Sequence, residues 1–249
     1  MIFNQQFVKA VTLEREAIPS FRTYPFSLPM VRNLESLELH PRVTFIVGEN
    51  GSGKSTLLEA IAVGLGFNAE GGSKNFRFGT RASHSELHQF LRLSRGLRPR
   101  DGFFLRAESF FNVATEIEKL DDEPAIALPI IKSYGGVSLH EQSHGESFFT
   151  LLTKRFGGQG LYILDEPEAA LSPQRQMAVL VRFHDLIKLK SQFIIATHSP
   201  ILMAYPDAWI YECSSEGLRR VAYTDTEHYK VSRHFLNHPD RTLQELLKD

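Results

Sequence analysis

The chain has 249 residues, 42% hydrophobic and 23% charged, with 28 Lys and Arg against 29 Asp and Glu and a net charge of −1. This composition excludes a disordered chain, a collagen-like fibre and a disulfide-stapled mini-protein, and the length suits one large domain with a substantial core. A charge so near zero gives no global pull toward nucleic acid or membrane, and the single cysteine, Cys213, cannot form an intrachain disulfide, which points to a reducing, cytoplasmic compartment.

In chain order, the N-terminus has no basic region followed by an apolar run, so no signal peptide is expected. Phe7 to Leu13 predicts an early strand. Val43 to Val47 (VTFIV) is a short apolar, β-branched run of the buried-strand kind. Ser55 to Leu65 follows with Leu57, Leu58, Ile61 and Leu65 at helical spacing, and Gly64 and Gly66 offer a stop. Lys74 to Arg106 carries eight Lys or Arg against two acids, Glu86 and Asp101, and an acidic stretch with Glu116, Glu118, Asp121, Asp122 and Glu123 comes next. This part reads as a helical lobe inserted at about residues 70–157. Its charge suits either a solvated mixed-charge surface or a patch for nucleic acid or a partner. Leu161 to Leu164 and Phe193 to Ala196 are two more buried-strand runs. Between them Ser172 as N-cap and Pro173 at the first helical position open a helix with an apolar stripe of Met177, Leu180, Phe183 and Ile187. The longest uncharged stretch, Ser191 to Pro206, is 16 residues with two prolines, short of the ~20 apolar residues a spanning helix needs, so no direct membrane insertion is expected. Leu243, Leu246 and Leu247 predict a terminal helix docked on the core. Strands alternating with helices imply one α/β domain, residues 1–249, with a mostly parallel sheet flanked by helices.

Four motifs carry chemistry. GENGSGKST, Gly48 to Thr56, follows a strand and opens a helix, the setting of a phosphate loop. Gly48, Gly51 and Gly53 let the backbone curl so that the amides of Glu49, Asn50, Ser52 and their neighbours point at phosphate oxygens, helped by the positive end of the helix that Thr56 enters. Lys54 is placed to reach the β- and γ-phosphates, and Ser55 to ligate Mg²⁺. In LYILDEPEAALSP, Leu161 to Pro173, a buried strand ends at Asp165, which puts a carboxylate at the sheet edge where open α/β sheets bind ligands. Asp165 suits the Mg²⁺ shell, and Glu166 could take a proton from an attacking water. In FIIATHSP, His198 at another strand end could hydrogen-bond a γ-phosphate or that water. In EQSHGES, Ser143 and Glu146 have capping-box spacing, while Ser143 and Gly145 at a helix N-terminus would equally suit a γ-phosphate.

These four motifs, in this order, resemble those of the ABC-type P-loop ATPases, over about Val43 to Tyr211. Gly48 to Ser55 resemble the Walker A motif, Ser143 to Glu146 the ABC signature, Leu161 to Glu166 Walker B with its catalytic glutamate, Ala170 to Ser172 the D-loop, and His198 the switch histidine. The resemblance implies an ATPase that uses ATP and Mg²⁺, with Glu166, His198 and Lys54 catalytic. Two heads would close around ATP as a dimer, Ser143 and Gly145 acting on the partner's nucleotide. The signature departs from the Leu-Ser-Gly-Gly-Gln of transporters. Its Ser-x-Gly-Glu form is similar to RecF-type repair and chromosome-maintenance heads, although long heptad arms are missing from the sequence. A Q-loop glutamine is not evident; Glu108 or Ser109 stands where it would fall. Tyr24 or Phe26 could stack adenine, and either could equally be core. The implied reading is a cytosolic ATPase linked to DNA repair, maintenance or defence, with DNA or a protein open as partner. A transporter's nucleotide-binding subunit and a nucleotide-gated switch with little turnover are the alternatives.

Overall fold

The computed structural model describes residues 6–74, 85–122 and 129–248. Two sheets form. The smaller is antiparallel, with β1 (Val8–Leu13) between β2 (Ser36–Glu38) and the later strand β4 (Leu91–Arg95). The larger has the order β5-β6-β7-β3-β8-β9, built from β3 (Val43–Val47), β5 (Asp101–Arg106), β6 (Gly160–Asp165), β7 (Gln192–Ala196), β8 (Trp209–Ser214) and β9 (Gly217–Val221). Its first five strands run parallel, and β9 closes the edge as an antiparallel hairpin partner of β8.

The parallel strands are legible because β3, β6 and β7 are buried at every position, as continuous apolar runs covered on both faces must be. Residues alternate between two cores. Phe45, Phe103, Leu164 and Ile195 face α3 (Phe110–Asp122), α4 (His144–Thr150) and α5 (Pro173–Lys188); Ile46, Phe104, Ile163 and Ile194 face α2 (Lys54–Gly64), the short α1 (Pro29–Arg32) and the small sheet. The buried Gln192 carboxamide joins the sheets: its Oε1 accepts from the Phe7 and Val8 amides at 3.0 Å each, and its Nε2 donates to the Val8 and His40 carbonyls.

The sheet registers bring the chemistry to one edge. Arg106 pairs with Asp165, Asp165 with Ala196, and Ala196 with Ile46. The residues that leave these strands, among them Glu166, Thr197, His198 and Gly48, therefore emerge side by side at the carboxyl end of the sheet.

Four expectations are revised. The stretch 70–157 is not helical throughout: β4 and β5 lie in the two sheets, and its described helices are a 3-10 turn at Glu86–Phe90 and those between residues 110 and 155, α4 ending in a π-turn over Leu151–Arg155. Residues 75–84 and 123–128 of its charged runs lie outside the described residues. On α5 the expected Phe183 is buried with Val179 and Leu186, and Leu180 and Ile187 pack half-buried against the same core; of the expected stripe only Met177, 54% exposed, is rotated off the core face. The C-terminus forms two helices after α6 (Pro200–Met203), namely α7 (Glu227–Asn237) and α8 (Pro239–Leu246). Leu243, Leu246 and Leu247 do not dock: they are 42%, 70% and 76% exposed. The buried Thr226, whose hydroxyl caps α7, holds only the first turn against the domain, and Pro239 then redirects the chain.

At the opposite end of the sheet, Asp101 accepts from Arg155 Nη1 at 2.9 Å, the Tyr162 hydroxyl at 2.7 Å and the Gly157 amide at 3.1 Å. Burial pushes its carboxyl up, but Arg155 and these donors together hold it below the usual range. The native pKa being depressed, this stabilisation is complete above the unfolded value and is lost as pH falls through the native one. Asp101→Asn should cost about 3 kcal/mol at pH 7 by leaving Arg155 unpaired. The gap between the urea midpoints of variant and parent should close below about pH 4; a gap independent of pH would exclude the charge as its source.

Candidate functional site

Gly53, the N-cap of α2, has φ +102°, and a Cβ there would stand 3.2 Å from Leu28; at Gly48 a Cβ would meet the Cβ of Cys213 at 2.9 Å. The loop can therefore follow its path only with glycine at these points. The path curls around Lys54, whose buried ammonium donates to the Gly48 and Glu49 carbonyls at 2.8 Å each. Burial lowers its pKa, against the pull of Glu166 and Asp165. Ser55, one residue on, donates its hydroxyl to Asp165 Oδ1 at 3.1 Å.

Asp165 is buried at the end of β6, and desolvation raises its pKa to about 7 despite Arg106, whose Nε lies 4.0 Å from Oδ2. Arg106 is anchored chiefly elsewhere, by the Glu59 carboxylate at 2.7 Å. Glu166 adopts φ +51°, and its amide donates to the Ala196 carbonyl at 2.9 Å. That kink turns its carboxylate toward His198, with Oε1 3.6 Å from Nε2. His198 is fixed at its backbone by Glu168 Oε1, 2.6 Å from its amide, and at its ring by His228 Nε2, 3.0 Å from Nδ1. Burial, then the Lys54 and His228 charges, push the His198 pKa down to about 4, which leaves the ring neutral at pH 7. Burial raises the Glu168 pKa against the bond from the His198 amide.

These groups border a cavity of about 610 Å³ lined by Asn50, Gly51, Gly53, Lys54, Ser55 and Thr56 on one side and by Glu166 and His198 on the other. Glu49 and Ser52 line a neighbouring hollow with Cys213, and the Ser52 hydroxyl is buried with no partner among the described residues. The two members of each open pair lie in different surroundings. Tyr24 is 65% exposed and lines the cavity, its hydroxyl 3.4 Å from Thr56 Oγ1, whereas Phe26 is 1% exposed and packs edge-on against Phe90. Glu108 also lines the cavity, while Ser109 is buried and donates to the Glu70 carbonyl.

Ser143 and Gly145 do not line this cavity. Ser143 N-caps α4, and the Glu146 carboxylate accepts from its amide at 3.1 Å and its hydroxyl at 2.7 Å, so the capping box forms. Gly145 lies against Ala170 of its own chain: a Cβ there would stand 2.5 Å from the Ala170 carbonyl oxygen.

Arg106, Glu59, Glu168 and His228 were not singled out in the sequence. Arg106 had a usable signal, a charge ending the buried run Phe103–Leu105. Glu168 stands two residues after Glu166 but reads as a helix-entry acid, and His228 has no local signal. No group of three or more His, Cys, Asp or Glu among the described residues could hold a metal ion. The Ser55–Asp165 pair of hard oxygens instead fits Mg²⁺, which takes one or two protein ligands and fills its shell with water and phosphate.

In its sheet order and in the motifs at its strand ends, the chain resembles two ATPase family models and shares the fold of ATP-binding cassettes of known structure. Residues 18–121 match the family model of an AAA domain, and residues 84–204 match a second AAA domain model, whose description adds the AbiEii toxin of a Type IV TA system. In sequence, no curated protein matches the chain. Among solved structures, an ATP-binding cassette of an ABC transporter aligns at 14% identity and a TM-score of 0.50, over 98% of this chain and 99% of that one. A metal-chelate type ABC transporter in an inward-facing conformation aligns at 14% identity and a TM-score of 0.50, over 91% and 88%. The SMC head domain from Thermotoga maritima aligns at 16% identity over 87% and 98%, with a TM-score of 0.43, too loosely to choose between subclasses. No helix among the described residues is long and apolar enough to cross a membrane.

Proposed function

We propose that this chain binds MgATP in the cavity beside the phosphate loop and hydrolyses it to ADP and phosphate. The observation that carries this reading is the meeting of Lys54, Ser55, Glu166 and His198 around one cavity, with Asp165 hydrogen-bonded to Ser55 behind it. The loop amides and Lys54 bind phosphate oxygens, Lys54 exchanging its two carbonyl partners for them. Ser55 and Asp165 hold Mg²⁺, which when bound neutralises charge on the phosphates. Glu166 accepts a proton from the attacking water, and neutral His198 orients the water or the γ-phosphate. Tyr24, exposed at the rim, is the candidate for stacking adenine.

Hydrolysis needs a second copy in this reading. Ser143 and Gly145 stand outside the cavity of their own chain, which supports a dimer in which each signature closes over the partner's nucleotide. The client is assigned to DNA repair, maintenance or defence in the cytoplasm on the Ser-x-Gly-Glu signature. Within the basic stretch, Arg92 pairs with Glu14 at 3.1 Å and Arg95 donates to the Gly64 carbonyl, so part of its charge is already used within the chain.

The purified chain should release phosphate from ATP only with Mg²⁺ present. Turnover should rise when linear duplex DNA is added at about 50 mM salt and lose that rise as salt increases. Absence of Mg²⁺-dependent phosphate release would overturn the ATPase reading; a rate indifferent to DNA would leave the ATPase and turn the client toward a protein.

A further inference from the structure

His228 lies in the first turn of α7, thirty residues beyond His198, and belongs to none of the four motifs. Its Nε2 is 3.0 Å from His198 Nδ1, so one proton lies between the rings and one of the two must donate. The surroundings decide which. If His198 donated from Nδ1, its bare Nε2 would turn a lone pair toward the Glu166 carboxylate 3.6 Å away. His228 would then carry its own proton on Nδ1, which is buried and has no partner among the described residues. Both features are unfavourable: the first is a repulsion, and the second is an unsatisfied N–H in the interior. If His228 donates instead, its Nδ1 keeps only a bare lone pair, and His198 carries its proton on Nε2, which is also buried without a hydrogen-bond partner among the described residues but points its positive N–H at the Glu166 carboxylate 3.6 Å away, so the charge of Glu166 decides between the two tautomers. Burial holds both rings below their ordinary pKa, which keeps them neutral and the tautomer question real.

We propose that His228 is a positioning residue of the nucleotide site: its Nε2–H donates to His198 Nδ1 and holds His198 in the tautomer whose Nε2–H faces Glu166. This rests on the reading of the cavity as an ATPase site. The outer hydrogen bond of a histidine commonly sets which of its nitrogens carries the proton. Here that bond comes from α7, whose first residue, Glu227, also lines the hollow beside the phosphate-loop residues Glu49 to Ser52.

The test begins with the nucleotide-free chain. Long-range ¹H–¹⁵N correlations of ¹⁵N-histidine-labelled protein should report His198 protonated at Nε2. In His228→Leu the donor is gone, and His198 should show a mixture of tautomers; in His228→Gln an amide N–H near the same place should restore the Nε2–H form. In turnover, His228→Leu should lower kcat about tenfold, the size expected when a partner that orients a histidine is lost, with KM for ATP unchanged within about twofold, and His228→Gln should recover most of the rate. A parent chain with His198 protonated at Nδ1 overturns the proposal, as does a His228→Leu chain with unchanged tautomer and kcat. The parent spectrum decides the assignment even if a variant does not fold. If the parent chain releases no phosphate, the ATPase reading fails, while the spectrum still reports separately on the hydrogen bond.

Discussion

Glu166→Gln should bind ATP as tightly as the parent chain and turn it over at least ~100-fold more slowly, the loss expected when a general base is removed. The amide is nearly isosteric with the carboxylate. The bond that sets the φ +51° kink, from the Glu166 amide to the Ala196 carbonyl, belongs to the backbone and survives. Nothing in the phosphate loop changes, because Lys54 rests on the Gly48 and Glu49 carbonyls and Ser55 on Asp165. What disappears is the proton acceptor that faces the cavity beside His198. Phosphate release and equilibrium nucleotide binding, measured on the same preparation, separate the two effects. A near-parental rate would move the base to another carboxylate bordering the cavity, with Glu108 the first to examine.

Ser143→Arg should abolish ATP-dependent dimerisation and lower turnover about 100-fold, as loss of a group acting on the transition state of the partner's nucleotide would, while nucleotide affinity of the monomer stays within about twofold of the parent. The serine is exposed at the start of α4 and away from the cavity of its own chain. A long cation there obstructs an approaching phosphate loop without touching the resident one. Loss of the N-cap adds a stability cost of about 1 kcal/mol, too small to unfold a domain of this size. Light scattering with and without MgATP reads the dimer, and titration of a fluorescent ATP analogue at low protein concentration reads the monomer. A fall in monomer affinity would mean that Ser143 acts on its own chain's nucleotide and would overturn the two-head arrangement.

Asp165 shows how closely fold and site are coupled. Its carboxylate is buried by its position at the end of a strand buried throughout, and the resulting desolvation raises its pKa to about 7. The same burial places it under Ser55, where a hard cation would relieve that cost. A residue in the edge strand β9 would meet neither condition.

The local code was readable wherever it is short-ranged. Val43 to Val47 announces a buried strand because five apolar or β-branched residues in a row suit only a strand covered on both faces, and β3 has those bounds. Ser172 and Pro173 announce the start of α5, where the Ser172 hydroxyl accepts from the Arg175 amide. The phosphate loop is legible because its glycines answer to backbone angles and close approaches within a few residues. Other features depended on partners far along the chain. On α5 the expected stripe held for Leu180, Phe183 and Ile187 but not for Met177, because periodicity alone does not fix where the core face ends, and the terminal leucines were expected to dock because an amphipathic pattern does not reveal whether a surface exists to receive it. Tyr24 and Phe26 are two residues apart and alike in chemistry, and only the packing of Phe90 against Phe26 sends one to the core and the other to the cavity rim. What the sequence by itself determined is the set of chemical groups and the strand, turn or helix end on which each sits. The tertiary structure alone decided which of them meet, because parallel pairing aligns Ile46, Ala196 and Asp165 across as many as 150 residues of chain and brings His228 against His198, contacts that carry no signature in the residues on either side.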